Sequence, residues 1–311
     1  MRVAVVDIGS NSTRLLIADV KPSAGAVAAR VKRSEVTRLG EGVDARGSLS
    51  EEAIARVLQT LRDYRAQIDS HRCEANLAVL TAAVRDAANG AEFAACVRDE
   101  FGLDAHVLSG DQEAQLTFLG AMSGRDSAPA SQWPALVVDI GGGSTEFVVG
   151  EDHTAGFHTS LPVGVVRMSE RHIHSDPPAS AELDTLARDV RAVFQEGLPA
   201  AERAPVKRAI AVAGTATSAA AIDQRLDPYD PARVESYPLS RAVVQQMLAR
   251  LAAMREEERR AVPGLHPDRA PTIVAGLVIL GEVLGAFELE QVSVSEHDLL
   301  FGGAMRVAGL E

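Results

Sequence analysis

The sequence predicts an α/β fold built from two related domains, and three observations carry that expectation. The segment Val5-Val6-Asp7-Ile8-Gly9-Ser10-Asn11-Ser12-Thr13 returns as Val137-Val138-Asp139-Ile140-Gly141-Gly142-Gly143-Ser144-Thr145, with seven of nine positions identical. Apolar runs of strand length alternate with capped, amphipathic stretches of helix length. Between the two copies lies SGRDSAPASQWP (residues 123–134), a Ser-, Pro- and Ala-rich linker. The expected division is residues 1–122 plus a C-terminal helix near 297–311 as one domain, and 135–296 as the other. A chain of 311 residues gives each domain room for its own core.

Taken in order, Val3 to Val6 is a buried strand that ends in a polar turn, Asp7 to Ser12. Arg14 to Val20 returns from it as the second arm of a hairpin. Ser50 caps a helix that starts with Glu51 and Glu52 and runs to about Asp69. A strand follows at Leu77 to Thr81, then a helix ended by Asn89-Gly90, a helix from Ala91 to Phe101, and a strand from Ala105 to Leu108. A further helix opens at Ser109. After the linker the hairpin pattern restarts, so the repeat implies two hairpins offered to a shared cleft. The second half continues with a helix from Ala181 to Gln195 and a strand from Ala209 to Ala213. A small-residue turn, Gly214-Thr215-Ala216-Thr217-Ser218, leads into a helix. The remaining helices are Ser240 to about Met254, Ala270 to Phe287, and Glu296 to Val307.

Composition narrows the function classes. The net charge of −12 argues against a broad nucleic-acid surface, though it leaves room for a short polyanion in one basic cleft. Lys21, Lys32 and Lys207 are the only lysines, so arginine carries the positive charge. Cys73 and Cys96 show neither CxxC nor metal-ligand spacing and read as core thiols. MRVAVVDIG starts as a strand without a signal-peptide pattern. The longest apolar stretch, Ile273 to Phe287, is too short for a membrane span and contains Glu282. A cytoplasmic protein is the expectation.

Three strand-ending turns carry the chemistry: DIGSNST, DIGGGST and AGTATS. Glycine lets a backbone approach phosphate, and successive N–H groups form an anion-binding nest. The third turn also feeds a helix N-terminus, whose dipole favours an anion. Asp7 and Asp139 end buried strands, where a carboxylate either holds Mg²⁺ or only closes its own turn. Glu146, after the second turn, is a further ligand candidate. Ser109 and Gln112 have capping-box spacing, and Glu113 lies one residue beyond what the cap needs. Two readings of Glu113 stand: it complements the helix dipole, or it acts as general base on a water. Arg14, Arg85 and Arg167 are the arginines nearest these motifs.

Together DIGSNS, DIGGGSTE and AGTATS resemble the Ppx/GppA phosphatases, within the superfamily of actin, sugar kinases and chaperone ATPases. The resemblance extends to TAAVRDAANG, LSGDQEAQLTFLGA, SLPVGVVRMSE and HPDRAPTIVAG, nearly the whole chain. It implies duplicated actin-like, ribonuclease H-like domains around a cleft. It also implies hydrolysis of phosphoanhydrides in polyphosphate, or of guanosine pentaphosphate (pppGpp) to the tetraphosphate, with Mg²⁺ or Mn²⁺, by a homodimer. A non-catalytic nucleotide sensor is the alternative from another class. By motif position Glu113 would be the catalytic base, Asp139 and Glu146 would serve metal and water, and Arg85 would grip phosphate. Gly9, Ser10, Asn11 and Ser12, then Gly141, Gly142, Gly143, Ser144 and Thr145, then Gly214, Thr215 and Thr217 would bind the phosphate chain. Three features depart from the family pattern. Gln112 replaces the first of two glutamates, Pro271 stands where an acid is usual, and SVSEHDLLFGG replaces an arginine-glutamate-glycine ending. The helical C-terminal extension of longer members is not in this sequence, which leaves chain-length preference open.

Overall fold

A computed structural model describes residues 1–21, 26–123, 132–151 and 154–310. Most of the expected linker, residues 124–131, lies outside the described residues. The chain divides into two compact units, Met1–Asp126 with His297–Glu311, and Ser127–Glu296.

Unit 1 holds a five-stranded sheet of β1 (Arg2–Ile8), β2 (Ser12–Lys21), β3 (Ala26–Val36), β4 (Ala75–Leu80) and β5 (Ala105–Val107), in the order β3-β2-β1-β4-β5. The β1–β2 and β2–β3 pairs are antiparallel, while β1–β4 and β4–β5 are parallel. Unit 2 holds β6 (Ala135–Ile140), β7 (Thr145–Glu151), β8 (Thr154–Leu161), β9 (Arg208–Val212), β10 (Pro238–Ser240) and β11 (Gln291–Val294), in the order β10-β11-β9-β6-β7-β8. Its β6–β7 and β7–β8 pairs are antiparallel and its β6–β9 and β9–β11 pairs parallel. Five strands of each sheet therefore share one order and one set of directions, and β10 is an added edge. The nine-residue repeat is the visible trace of this duplicated α/β domain.

Alternating side chains serve both faces of the first sheet. Ala4, Val6, Ile8, Leu15 and Ile17 pack with the helices Glu51–Ser70 and Gly90–Phe101. Val3, Val5, Leu16 and Ala18 pack on the other side with Leu300, Phe301 and Ala304 of the helix Leu299–Val307. In unit 2 the helix Ile273–Ala286 is apolar nearly all round and correspondingly buried. Phe147 meets Phe194 edge-on with ring centroids 5.1 Å apart. Such a pair contributes ~0.5–1.5 kcal/mol beyond its buried area. Among the described residues no helix is long and apolar enough to cross a membrane.

Several boundaries differ from expectation for identifiable reasons. Asn89-Gly90 does not end a long helix. The residues before it make one turn, Ala82–Arg85, and Gly90 starts the next helix. Asn89 instead ties both its amide groups to the backbone of Leu49. Gly214, Thr215 and Thr217 are not in a turn ahead of a helix but in the first turns of the helix Ala213–Asp223 itself. Ala213 makes the reversal in their place, with φ +62°. The last helix starts at Leu299 rather than Glu296, because Asp298 caps it. The strand β3 shows no alternation because its side chains are mostly exposed, Arg30, Lys32, Arg33 and Glu35 among them, as suits a sheet edge. Cys73 and Cys96 are free thiols of intermediate burial rather than core residues.

Candidate active site

The two repeated turns are built alike. Gly9 N–H donates to Ser12 O at 3.0 Å, and Gly141 N–H donates to Ser144 O at 2.9 Å. Each turn is anchored by its carbonyls to a following segment. Gly40 N–H reaches Ser10 O at 2.8 Å, and Thr37 and Arg38 N–H reach Asn11 O at 3.1 and 2.9 Å. In the second turn Val165 N–H reaches Gly141 O, Val166 N–H reaches Gly142 O, both at 2.9 Å, and Arg167 Nε reaches Gly143 O at 2.9 Å. In a planar trans peptide the C=O of one residue and the N–H of the next point opposite ways. The N–H groups of Asn11 and Ser12, and of Gly142, Gly143 and Ser144, therefore face away from the anchoring segments. That is the orientation an anion nest requires. Thr145 offers no hydroxyl to such an anion, since its fully buried Oγ1 donates to Val163 O.

The helix Ala213–Asp223 has Val212 at its N-cap and no side-chain cap, so the first-turn N–H groups get no side-chain acceptor there. Gly214 leaves the space that the Arg269 guanidinium fills, because a Cβ there would lie 1.4 Å from Nη1. Arg269 was not singled out by the sequence reading, although it lies in the HPDRAPTIVAG segment that carries the resemblance. Thr217 stands beside Tyr229, whose hydroxyl donates to the Glu296 carboxylate.

Glu113 lies in the first turn of the helix Gly110–Met122. Ser109 Oγ accepts from Gln112 N–H at 3.2 Å and Gln112 Oε1 accepts from Ser109 N–H at 3.0 Å, so the capping box forms without Glu113. Arg85, the last residue of Ala82–Arg85, donates Nη1 to Leu108 O at 3.1 Å and to Glu113 Oε2 at 3.2 Å. The residue expected to grip phosphate thus also orients the candidate base.

The charges beside the two strand-ending aspartates are opposite. Asp7 is paired in register with Arg14, whereas Asp139 is paired in register with Glu146. Arg14 donates Nε and Nη2 to Asp7 Oδ2 at 2.8 and 2.6 Å, and Nη1 to Asp298. Arg14 therefore bridges two protein carboxylates. Burial pushes the Asp7 carboxyl above its ordinary range, with the Arg14 charge opposing. Burial pushes Asp298 the same way, but the Arg14 and Lys32 charges and the Leu300 N–H outweigh it and hold Asp298 low. In unit 2, Glu146 Oε1 accepts from Ser144 Oγ and from Ser160 Oγ. Asp139 and Glu146 are both half-buried.

Among the described residues no three His, Cys, Asp or Glu side chains form a metal cluster. Mg²⁺ does not need one, since it binds through one or two carboxylates plus substrate phosphates and waters. The register pair Asp139 and Glu146 meets that requirement. So does Asp7, whose Oδ1 is buried without a hydrogen-bond partner. Asp298 is the residue the sequence reading missed altogether. Its signal was the SEHD ending, which stood out as a departure but had no chemistry attached. The exchange of Arg14 for Glu146 was legible one position beyond the end of the repeat.

The chain matches known proteins over nearly its whole length. The family model for the Ppx/GppA phosphatase family matches residues 16–302. An exopolyphosphatase 2 of Mycobacterium tuberculosis is 38% identical, over 99% of this chain and 99% of its own length. The crystal structure of the Aquifex aeolicus Ppx/GppA family member superposes with a TM-score of 0.85 at 32% identity, covering 99% of this chain and 97% of that one. An exopolyphosphatase structure from Cytophaga hutchinsonii gives 0.84 at 28% identity, over 100% and 99% of the two chains. This chain is a hydrolase that belongs to the Ppx/GppA phosphatase family.

Proposed function

We propose that the protein is an exopolyphosphatase, which removes terminal orthophosphate from inorganic polyphosphate. The observation that supports the reading most is Glu113, left over by a complete capping box and held by Arg85. In this reading Glu113 takes the proton from a water as its oxygen attacks the terminal phosphorus. The bridging P–O bond breaks and its electron pair leaves on the shortened chain. Arg85 keeps the Glu113 carboxylate aimed and offers its remaining N–H groups to the terminal phosphoryl oxygens. The N–H groups of the two repeated turns and of the helix start at Gly214 bind the chain and stabilise charge that develops on it. Asp139 and Glu146, with Asp7, would hold Mg²⁺ or Mn²⁺, which supplies neutralisation of the phosphoanhydride oxygens when bound. The names of the M. tuberculosis and C. hutchinsonii relatives support polyphosphate as the substrate. A cytoplasmic homodimer completes the proposal.

Orthophosphate release from short polyphosphate, long polyphosphate, pppGpp and ATP, measured side by side, tests this reading. It is upheld if a polyphosphate has the highest kcat/KM. It fails if pppGpp or ATP does, or if nothing is hydrolysed with Mg²⁺ or Mn²⁺ present.

A further inference from the structure

The proposed mechanism uses neither Arg14 nor Asp298, yet the two form the most buried ionic group beside the first turn. Side-chain exposure is 5% for Asp7, 4% for Asp298 and 19% for Arg14. The guanidinium binds Asp7 with Nε and Nη2 and Asp298 with Nη1, so a planar fork spans two carboxylates. Both bonds to Asp7 fall on Oδ2, and Oδ1 is left as a buried acceptor without a partner. A Cβ on Gly9 would lie 3.9 Å from that oxygen and 4.0 Å from Thr81 Oγ1. An unpaired buried carboxylate oxygen is costly and persists where something else, such as a ligand, uses it.

Asp298 is itself fixed from two sides. Its Oδ1 accepts from Leu300 N–H at 3.0 Å and caps the last helix. Its carbonyl lies where a Cβ on Gly120 would be 1.9 Å away, and a Cβ on Gly302 would be 1.9 Å from Leu116 O. The helix that carries Glu113 and the helix capped by Asp298 therefore touch backbone to backbone, which only glycine permits. Asp298 ties the Glu113 helix to the strand end that carries Asp7.

We propose that Arg14 and Asp298 are positioning residues. They hold Asp7 by one oxygen and deliver the other to the cation of the phosphoanhydride complex. This rests on the reading that Asp7 contributes an oxygen to that cation, and it assigns a purpose to the SEHD ending.

The discriminating variant is Asp298→Asn. Asparagine still caps a helix, so the substitution removes the charge facing Arg14 and keeps the cap. Mn²⁺ affinity is measured by electron paramagnetic resonance without substrate, and kcat and KM with polyphosphate. Loss of a partner that orients a metal ligand should weaken Mn²⁺ binding about tenfold and lower kcat by a similar factor, with KM changed less than about threefold. In an Asp7→Asn background the same change should have no further effect on Mn²⁺ binding. Mn²⁺ affinity and kcat within about twofold of wild type overturn the proposal, even if the variant melts earlier, and so does full additivity with Asp7→Asn. If Asp298→Asn does not fold, Arg14→Lys gives the same test, since lysine keeps the charge without the fork. Wild-type protein that releases phosphate at full rate in excess EDTA overturns the metal reading and this one with it. Normal wild-type binding with an unaffected variant overturns the positioning role alone.

Discussion

The two repeated turns have the same backbone and opposite electrostatics. Both close with a hydrogen bond from the glycine after the Asp-Ile pair to the serine three residues on, at 3.0 and 2.9 Å. Both carry an aspartate at the end of the first strand of the hairpin. Across the hairpin, however, Asp7 faces Arg14 and Asp139 faces Glu146. The first pair neutralises itself and sinks into the core with Asp298. The second is a register pair of carboxylates that stays half-buried. A duplicated fold can thus keep one turn backbone twice and differ by one charge reversal across the hairpin. In this account the first unit supplies the base and its orienting groups, and the second supplies the principal carboxylates for the metal.

The largest effect belongs to Glu113 in the first unit. Glu113→Gln should fold, bind substrate and lose about 10²-fold or more in kcat, as removal of a general base does. Near-normal turnover by the purified variant would remove the base from the first unit. Next come the carboxylates of the second unit. Asp139→Asn should raise the Mg²⁺ or Mn²⁺ concentration for half-maximal activity more than Glu146→Gln does. Asp139 ends a central strand paired on both sides, and Glu146 is also held by two serines. Wild-type activity in excess EDTA would contradict a metal role for either.

Arg85 spends Nη1 on both Leu108 O and Glu113, so Arg85→Lys keeps the charge but removes the rest of the planar guanidinium that would meet the phosphate. A fall of about tenfold in kcat/KM is expected, the worth of one charge-assisted hydrogen bond. Arg62 is exposed and donates to Gln59 Oε1 at 3.1 Å on its own helix, so Arg62→Ala should leave kcat/KM unchanged. Equal effects of the two substitutions would show that Arg85 is not at the site.

The smallest effect is on stability and leaves the turns alone. Glu182 in the second unit accepts from Ser175 Oγ and from the N–H groups of Ala179, His174 and Ser175, which holds its pKa down at about 2. A depressed carboxylate contributes stability that is present above its unfolded pKa and lost as pH falls toward the folded one. Glu182→Gln should therefore lower Tm at neutral pH, with the gap from wild type closing as pH drops from about 4.5 toward about 2. Turnover should not change. A gap that widens in acid would reverse the assigned sign.

Much of this arrangement was legible in the sequence, and the reasons are local. The hairpins, the Ser50 and Ser109 caps and the repeat depend on residues a few positions apart, so their patterns survive without tertiary knowledge. The fold class followed from the repeat, because two closely similar turns need two similar sheets beneath them. What failed to read was decided at a distance. The reversal at Ala213 that makes AGTATS a helix start, with Arg269 seated on Gly214, joins segments more than fifty residues apart. The Arg14–Asp298 bond spans 284 positions. No local pattern announces either. The strand β3 was missed for another reason, since an exposed charged edge lacks the alternation that marks a half-buried strand.

The most direct test of the division between the two units is a Mn²⁺ titration by electron paramagnetic resonance, without substrate, of wild type, Asp139→Asn and Asp7→Asn. The account predicts that Asp139→Asn raises the Kd about a hundredfold and Asp7→Asn about tenfold, within the range for loss of a ligand or its orienting partner. A large loss in Asp7→Asn with wild-type affinity in Asp139→Asn would contradict it.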